Sequence, residues 1–398
     1  MTHNSNIITR FLVIMLLFTC QGLNAQEKTG DFRRVDALAL QIPDSQERTT
    51  QGISGYITSN FNSQTDRSRT IFAWVATSIQ YDIDNMFAVN FYQNTDEIIK
   101  EAQSRHKGIC QHFAELYSAI ANQSGIKTYV VSGYTKQNGS VDYLPHAWCA
   151  SLIDSSWYLI DPTWGSGYIS NGRFIRQIND DYFMAKPEKM IISHMPFDPL
   201  WQFLNYPVTS QEFYEGRTAI DTSKPFFNYP DTLKRFEQES KIGKLIASSR
   251  RIEQNGVRNS LISDRLQHNR REIEYYNDSL RVEVYNSAVY HYNDGINHLN
   301  RFIDYRNRQF TPKKQETEIR EMVNQAEWSL ANARLKLQAI QNPDSNTAAS
   351  ILQLSRSIDE AMLNLNEQRI FVDKYFKTGK VLRKSLFYKY TWMGIPLN

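Results

Sequence analysis

The feature that most constrains this chain is an apolar seam near its carboxy terminus. Ile319, Val323, Ala326, Leu330, Ala333, Leu337 and Ile340 recur at alternating steps of four and three, the spacing that closes one helix against another as a left-handed coiled coil. After Asn342-Pro343-Asp344-Ser345-Asn346, a turn by composition, the residues Ile351, Leu354, Ile358, Ala361, Leu365, Val372 and Tyr375 keep the rhythm, and Gln368 interrupts it once. Two seams joined by a tight turn predict an antiparallel helical hairpin, with Ile296, Leu299 and Ile303 supplying a further helix of a bundle. Gly and Pro nearly vanish beyond about Asp231, so residues 231–398 are expected to be an all-α bundle with antiparallel coiled-coil character. Such a domain serves as a structural spacer or as a platform for a protein partner.

A chain of 398 residues exceeds what one compact core usually holds, and the part before Pro230 follows a different pattern. Residues 26–65 are polar and irregular and read as a lead-in rather than as core. From Asp66 to Gln80, Ile71, Trp74, Val75 and Ile79 recur at helical spacing, and Asn94 with Glu97 caps a second helix through Ala102. A third helix opens near Gly108 and buries Phe113, Leu116, Tyr117 and Ile120. Short β-prone runs follow at Thr128–Val131, Ala147–Leu152 and Trp157–Ile160. Helices followed by antiparallel strands make residues 66–230 an α+β domain, with 162–229 as loops and short helices wrapping it.

The amino terminus carries Arg10, the apolar run Phe11 to Phe18, and Leu23-Asn24-Ala25 before Gln26, the layout of a cleavable secretory signal over residues 1–25. The run has about half of the roughly 20 apolar residues a membrane span needs. A lipid anchor at Cys20 is the weaker alternative, since Thr19 stands where a small residue normally precedes the modified cysteine. The expectation is an exported protein, periplasmic or secreted. Only Cys110 and Cys149 would remain after cleavage, so the fold is not a disulfide framework and each thiol needs its own explanation. A net charge of +3 without a basic block gives no footprint for nucleic acid or an anionic membrane.

Three fragments carry chemistry. Lys107-Gly108-Ile109-Cys110 leads directly into the third helix and puts the thiol in its first turn, where backbone N–H groups and the helix dipole favour a thiolate. A cysteine there is also an ordinary packing residue. Pro145-His146-Ala147-Trp148 starts a β-prone run with an imidazole that can take a thiol proton and return it to a leaving amine. Leu159-Ile160-Asp161-Pro162-Thr163-Trp164-Gly165 ends a strand on a carboxylate that can hold an imidazole tautomer. Asp before Pro is otherwise a turn former.

Taken together, these fragments resemble the transglutaminase-like superfamily: Gly108-Ile109-Cys110 with Ala114, Gly125-Ile126, Val131-Ser132-Gly133-Tyr134, His146-Ala147-Trp148, and Trp157 through Gly165. The Asp-Pro-Thr-Trp-Gly ending, Tyr182-Phe183 with Pro187, and His194-Met195-Pro196 followed by Asp198-Pro199-Leu200-Trp201-Gln202 are similar to its kyphoscoliosis-peptidase branch. The resemblance covers about Ser68 to Phe203. It implies a papain-like core, helices packed on an antiparallel sheet, with Cys110, His146 and Asp161 as the catalytic triad. It implies attack on a peptide or protein amide through a thioester, completed by water or by an amine. Hydrolysis is favoured, because no acceptor site is visible. The backbone N–H of Cys110 is one oxyanion donor, and Trp74, Tyr81 and Gln111 are candidates for the second.

Other residues receive lesser roles. His112 is turned about 200° from Cys110 on a helix and reads as packing or rim. Cys149 faces away from His146 on an alternating strand and reads as a buried structural thiol. His194 and Trp201 brace the catalytic layer. His106, Cys110 and His112 lack a fourth ligand at zinc spacing, and no calcium loop or phosphate-binding glycine motif appears, so neither metal nor cofactor is expected. The rival to the enzyme is an inactive domain serving as a binding or scaffold module, with the coiled coil making the contacts.

Overall fold

The structure, a computed structural model, describes residues 31–90, 93–390 and 396–397. The expected signal sequence, its cleavage site and Cys20 lie outside the described residues. Among the described residues no helix is long and apolar enough to cross a membrane. Two compact units form, one from residues up to 138 with 144–194, the other from 139–143 and 195 onward.

The first unit opens with helices α1 (Arg33–Ala39), α2 (Asp44–Glu47) and α3 (Thr50–Asn60), then α4 (Gln64–Ser78). A residue pair β1 (Gln80–Tyr81) precedes α5 (Thr95–Arg105) and runs parallel to β2 (Lys107–Gly108), which delivers the chain to α6 (Cys110–Gln123). Strands β3 (Thr128–Gln137), β4 (Ser140–Ile153) and β5 (Ser156–Ile160) follow. A small hairpin of β6 (Gly167–Ser170) and β7 (Arg173–Arg176), the short α7 (Pro187–Met190) and β8 (His194–Pro196) complete the series. The main sheet has the order β5-β4-β3-β8. Asp154 and Ser155 both take positive φ, at 47° and 66°, which matches the twist of the antiparallel β4–β5 hairpin.

Two helices form the core. α4 is buried from Ser68 to Ala76 without a break, and α6 buries the expected stripe of Phe113, Leu116, Tyr117 and Ile120. A buried polar link between them is the 2.7 Å hydrogen bond between Ser68 Oγ and Tyr117 Oη. The lead-in expectation for residues 26–65 is corrected for the part described. Val35, Ala39, Ile42, Ile53, Ile57 and Phe61 belong to the core cluster around α4 and α6. α1 is only seven residues long and α3 is rich in Gly, Ser and Thr, so length and propensity hide the i, i+4 pairs Val35–Ala39 and Ile53–Ile57.

The second unit holds a short 3-10 turn at Pro199–Gln202, α8 (Ser210–Glu215), α9 (Tyr229–Gln238), α10 (Lys241–Asn255), the 48-residue α11 (Ser260–Asn307), α12 (Glu316–Gln338) and α13 (Ser345–Lys377). The stretch before α9 is tied to the helices by polar and aromatic contacts. Asp198 takes two bonds from Arg251 of α10, at 2.7 and 2.6 Å, and Trp201 packs on Phe236 of α9 at 5.2 Å. Both predicted seams are buried over Ile319, Val323, Ala326, Leu330, Ala333 and Leu337 on α12 and Leu354, Ile358, Ala361, Leu365 and Val372 on α13, while Ile340, Ile351 and Tyr375 at their ends are half-buried. Gln368, the interruption, is buried too; its Oε1 accepts from Arg306 Nη1 of α11 at 2.6 Å. A polar seam position is thereby spent on one specific interhelical bond.

Two glycines inside helices predict opposite outcomes. A Cβ on Gly295 of α11 would stand 2.7 Å from Leu330 Cγ of α12, whereas a Cβ on Gly55 of α3 would meet nothing within 4 Å. Gly55→Ala is expected to stabilise the protein by up to about 1 kcal/mol through helix propensity. Gly295→Ala is expected to destabilise it by about 1–3 kcal/mol through overpacking. Urea denaturation of both variants checks this, and a gain in stability on Gly295→Ala would refute the close helix approach.

Candidate active site

Cys110 is placed by what precedes it. Asp82 N–H donates to the Gly108 carbonyl at 2.8 Å and Gln80 N–H to the His106 carbonyl at 2.8 Å, so the β1–β2 ribbon fixes the entry to α6. Gly108 is required there, because a Cβ would lie 2.5 Å from His112 Cβ. Ile109, at the cap position, is extended and offers no side-chain acceptor to the first turn. The thiol at the start of α6 therefore sits among N–H groups that no cap side chain has claimed. His112 closes the cap from the other side: its Nδ1 accepts the Ile109 N–H at 3.2 Å, and Nε2 lies 3.7 Å from Glu101. Burial holds its pKa down despite Glu101. This is the packing role expected of it.

Asp161 directly follows β5, is fully buried and divides its carboxylate between two tasks. Oδ1 accepts the backbone N–H of Thr163 at 2.8 Å and of Trp164 at 3.1 Å, a turn built past the N–H-less Pro162. Oδ2 lies 2.8 Å from His146 Nε2. The two roles that sequence left open for this residue, turn former and imidazole partner, are both real, one per oxygen. Gly165 lets the turn pack on α4, where a Cβ would come within 2.3 Å of the Phe72 ring.

His146, on β4, thus has Nε2 engaged by Asp161, which leaves Nδ1 as its other ring nitrogen. Burial works to depress its pKa, but the Asp161 charge, the bond to Asp161 and then Cys110 outweigh it and push it up to about 10. Asp161 moves the other way: burial would raise it, and His146 followed by His194 hold it well below the ordinary carboxylate range. The imidazole ring stacks on Trp148 at 6.0 Å and tilts against Trp164 at 5.7 Å, so the pair lies in a dry aromatic pocket.

The brace expected at His194 is a direct bond to Asp161, a partner that sequence reasoning did not name. His194 Nε2 is 3.0 Å from the same Oδ2, and its Nδ1 is 2.8 Å from Ser193 Oγ. No local pattern links positions 33 apart; only the strand order brings β8 to this end of the sheet. Trp201, expected beside it, lies in the second unit with Phe203 and Phe236. Cys149 is buried and its Sγ donates to the Ala114 carbonyl at 3.3 Å, with burial pushing its pKa well up.

Of the three candidate second oxyanion donors, Trp74 is committed elsewhere, its Nε1 donating to Glu47 at 2.6 Å. Tyr81 rests on Phe113 and Phe174, and burial, then the nearby Cys110, raise its pKa, so it keeps its proton and stays a donor. Gln111 is buried in the first turn of α6. Among the described residues His146, Asp161 and His194 form a trio with metal-ligating atoms within 4.8 Å. Both acceptor sites of Asp161 Oδ2 face imidazole nitrogens and both of Oδ1 face backbone N–H groups, so the carboxylate is already saturated by hydrogen bonds. His106, Cys110 and His112 do not converge in that way: His106 is the exposed left-handed cap of α5 and His112 is held by Ile109.

Residues 51–162 match the family described as the transglutaminase-like superfamily, and that stretch contains Cys110, His146 and Asp161. The kyphoscoliosis peptidase of Mus musculus is 27% identical over 194 residues, 46% of this chain and 28% of that protein. The Homo sapiens kyphoscoliosis peptidase is 29% identical over 157 residues, 37% of this chain and 23% of that one. Cytokinesis protein 3 of Saccharomyces cerevisiae is 26% identical over 125 residues, 28% of this chain and 14% of that protein. The match to each of the two peptidases spans about a quarter of its length. This chain carries a transglutaminase-like domain of the kyphoscoliosis-peptidase-like branch, helices packed on an antiparallel sheet, followed by an all-helical region.

The His146–Asp161 pair ties stability to pH. His146, raised from 6.5 to about 10 on folding, contributes stability that is complete below about pH 6.5 and lost as pH rises through 10. Asp161, lowered from 3.8, contributes stability that is complete above about pH 4 and lost as pH falls. The stability gap between the native protein and His146→Gln is therefore expected to be widest between about pH 4 and 6.5 and to narrow steadily toward pH 10. Denaturant midpoints across that range check it; a gap that stays constant from pH 6 to 10 contradicts the coupling.

Proposed function

We propose that the first unit is a cysteine enzyme acting on peptide or protein amides through a thioester, with hydrolysis favoured over transfer to an amine. The observation that carries the reading is the 2.8 Å bond between His146 Nε2 and Asp161 Oδ2, which supports a base role for the other ring nitrogen, with Cys110 at the start of a helix as its thiol. His146 Nδ1 takes the Cys110 proton and the thiolate attacks the amide carbonyl. The oxyanion is met by the Cys110 backbone N–H and by Tyr81 Oη. The C–N bond breaks as the imidazolium returns its proton to the leaving amine, which leaves a thioester on Cys110. Water then gives a proton to His146 and attacks the thioester; the acid departs and the proton returns to the sulfur. An amine in place of water gives cross-linking by the same steps.

Two relatives bear the name peptidase, which supports water as the acceptor. The apolar run before Gln26 supports an exported setting, periplasmic or secreted. The helical unit, with its buried seams, fits a spacer or a protein-binding platform beside the enzyme.

Mass spectrometry of the native protein and Cys110→Ala, after incubation with an iodoacetamide probe, a generic protein substrate and a primary amine, tests the reading. Cys110 is expected to label far faster than Cys149 at neutral pH. Turnover is expected to fall about a thousandfold or more in the variant. Free acid products mark hydrolysis and amine incorporation marks transfer. Absent turnover with a Cys110 as unreactive as Cys149 overturns the enzyme and leaves a binding module.

A further inference from the structure

The geometry points to His194 as a positioning residue for the thiol chemistry, acting through Asp161 as the second N–H donor to the oxygen that holds His146. The inference rests on the function proposed above.

The hydrogen-bond roles follow from what each group can do. Asp161 Oδ2 lies 2.8 Å from His146 Nε2 and 3.0 Å from His194 Nε2, and an ionised carboxylate oxygen only accepts, so both nitrogens carry protons. With Nε2 donating, Nδ1 of a neutral His194 is an acceptor, and Ser193 Oγ, 2.8 Å away, donates to it. The chain of bonds runs Ser193, His194, Asp161, His146, and in the function proposed above the other nitrogen of His146 serves Cys110. His194 itself is immobile: it is 1% exposed, with Trp164 at 4.6 Å and Trp148 at 5.2 Å, both edge to face.

A single imidazole on Oδ2 would leave one lone pair of that oxygen open and let the His146 ring swing about its one anchor. With the second site filled, Oδ2 presents one direction to His146, and the two backbone bonds on Oδ1 prevent the carboxylate from rotating. The consequence is a fixed tautomer and a fixed aim of His146 Nδ1. His194 also shares the negative charge of Asp161, so the carboxylate does not take the proton that His146 must return to the leaving group.

Packing and positioning predict opposite orders for two variants. His194→Phe keeps the aromatic ring against Trp148 and Trp164 but has no donor. His194→Gln loses the ring but brings an amide N–H. The readouts on the full chain are the pH profile of Cys110 alkylation by iodoacetamide, with Cys149 as internal reference, and 15N spectra of histidine-labelled protein. The native protein is expected to show hydrogen-bonded Nε2 protons on both histidines. His194→Phe is expected to lose the bound His146 signal and to slow alkylation near neutral pH about tenfold, with His194→Gln recovering most of it. Ser193→Ala, which leaves the ring in place, is expected to shift both readouts in the same direction by less.

Alkylation in His194→Phe equal to the native rate, or slower in His194→Gln than in His194→Phe, overturns the positioning role while the enzyme reading stands. An unreactive Cys110 in the native protein overturns both. If His194→Phe does not fold, Ser193→Ala decides: an unchanged alkylation profile and an unchanged His146 signal overturn the inference.

Discussion

The first unit depends on keeping one negative charge dry. A carboxylate without water is tolerable only when all its lone pairs are met, since an uncompensated buried charge costs several kcal/mol. Asp161 meets the condition with four donors from three places: two N–H groups of its own turn, His146 of β4 and His194 at the start of β8. The turn, the sheet order and the aromatic shell of Trp148, Trp164 and Tyr182 are what brings those donors together. The geometry around Asp161 is thus the solution to a solvation problem, and the basicity of His146 is a by-product of that solution.

A second buried charge explains why the amino-terminal helices belong to the unit. Arg69 of α4 is 2% exposed. It holds Asp36 of α1 through two bonds of 2.7 Å and Asp180 through one of 2.6 Å. Its guanidinium also lies over Phe32 and Phe183 at 4.7 and 5.1 Å. An arginine this deep needs planar partners and flat aromatic faces, which its fork geometry suits. Without α1 the charge would lose its bidentate partner, at a cost of about 3 kcal/mol. Here the core helix cannot close without a segment that composition alone describes as polar.

How much of this was legible follows from the range of each interaction. The α12 and α13 seams and the α6 stripe were readable because burial repeats at the helical period within one segment. Cys110 and Asp161 stood out because each sits at an element boundary with its own signature, whereas His146 lies in the middle of β4 rather than at the start of a strand and was singled out by the order of the fragments. The His194 bond was not legible, because it joins positions 33 apart whose neighbourhood is set by strand order. Nor were α1 to α3: α1 and α2 are too short to show a helical period, and the Gly and Thr residues of α3 suppress its propensity, while Arg69 and the core supply the stabilisation. The stretch from 195 to 228 looked irregular because its order comes from single contacts such as Asp198 with Arg251.

The two units therefore respond to mutation by different rules. In the helical unit the seam repeats one kind of contact many times, so loss of one methylene group there is local and the costs of distant changes add. Gln368 is the exception: with Arg306 at 2.6 Å and Arg306 over Phe371 at 3.7 Å, it ties α11 to α13 at one height. A slide of one turn would keep the bond from Gln368 Nε2 to Asn364 of the same helix but bury Oε1 without its partner, so a position that weakens the seam also sets its register. In the first unit the polar contacts around Asp161 form one network, and their losses do not add: whichever donor goes first leaves the same charge under-solvated. A substitution tolerated in the bundle because its effect stays local has no counterpart around Asp161, where the group that suffers is always the carboxylate on which His146 is aimed.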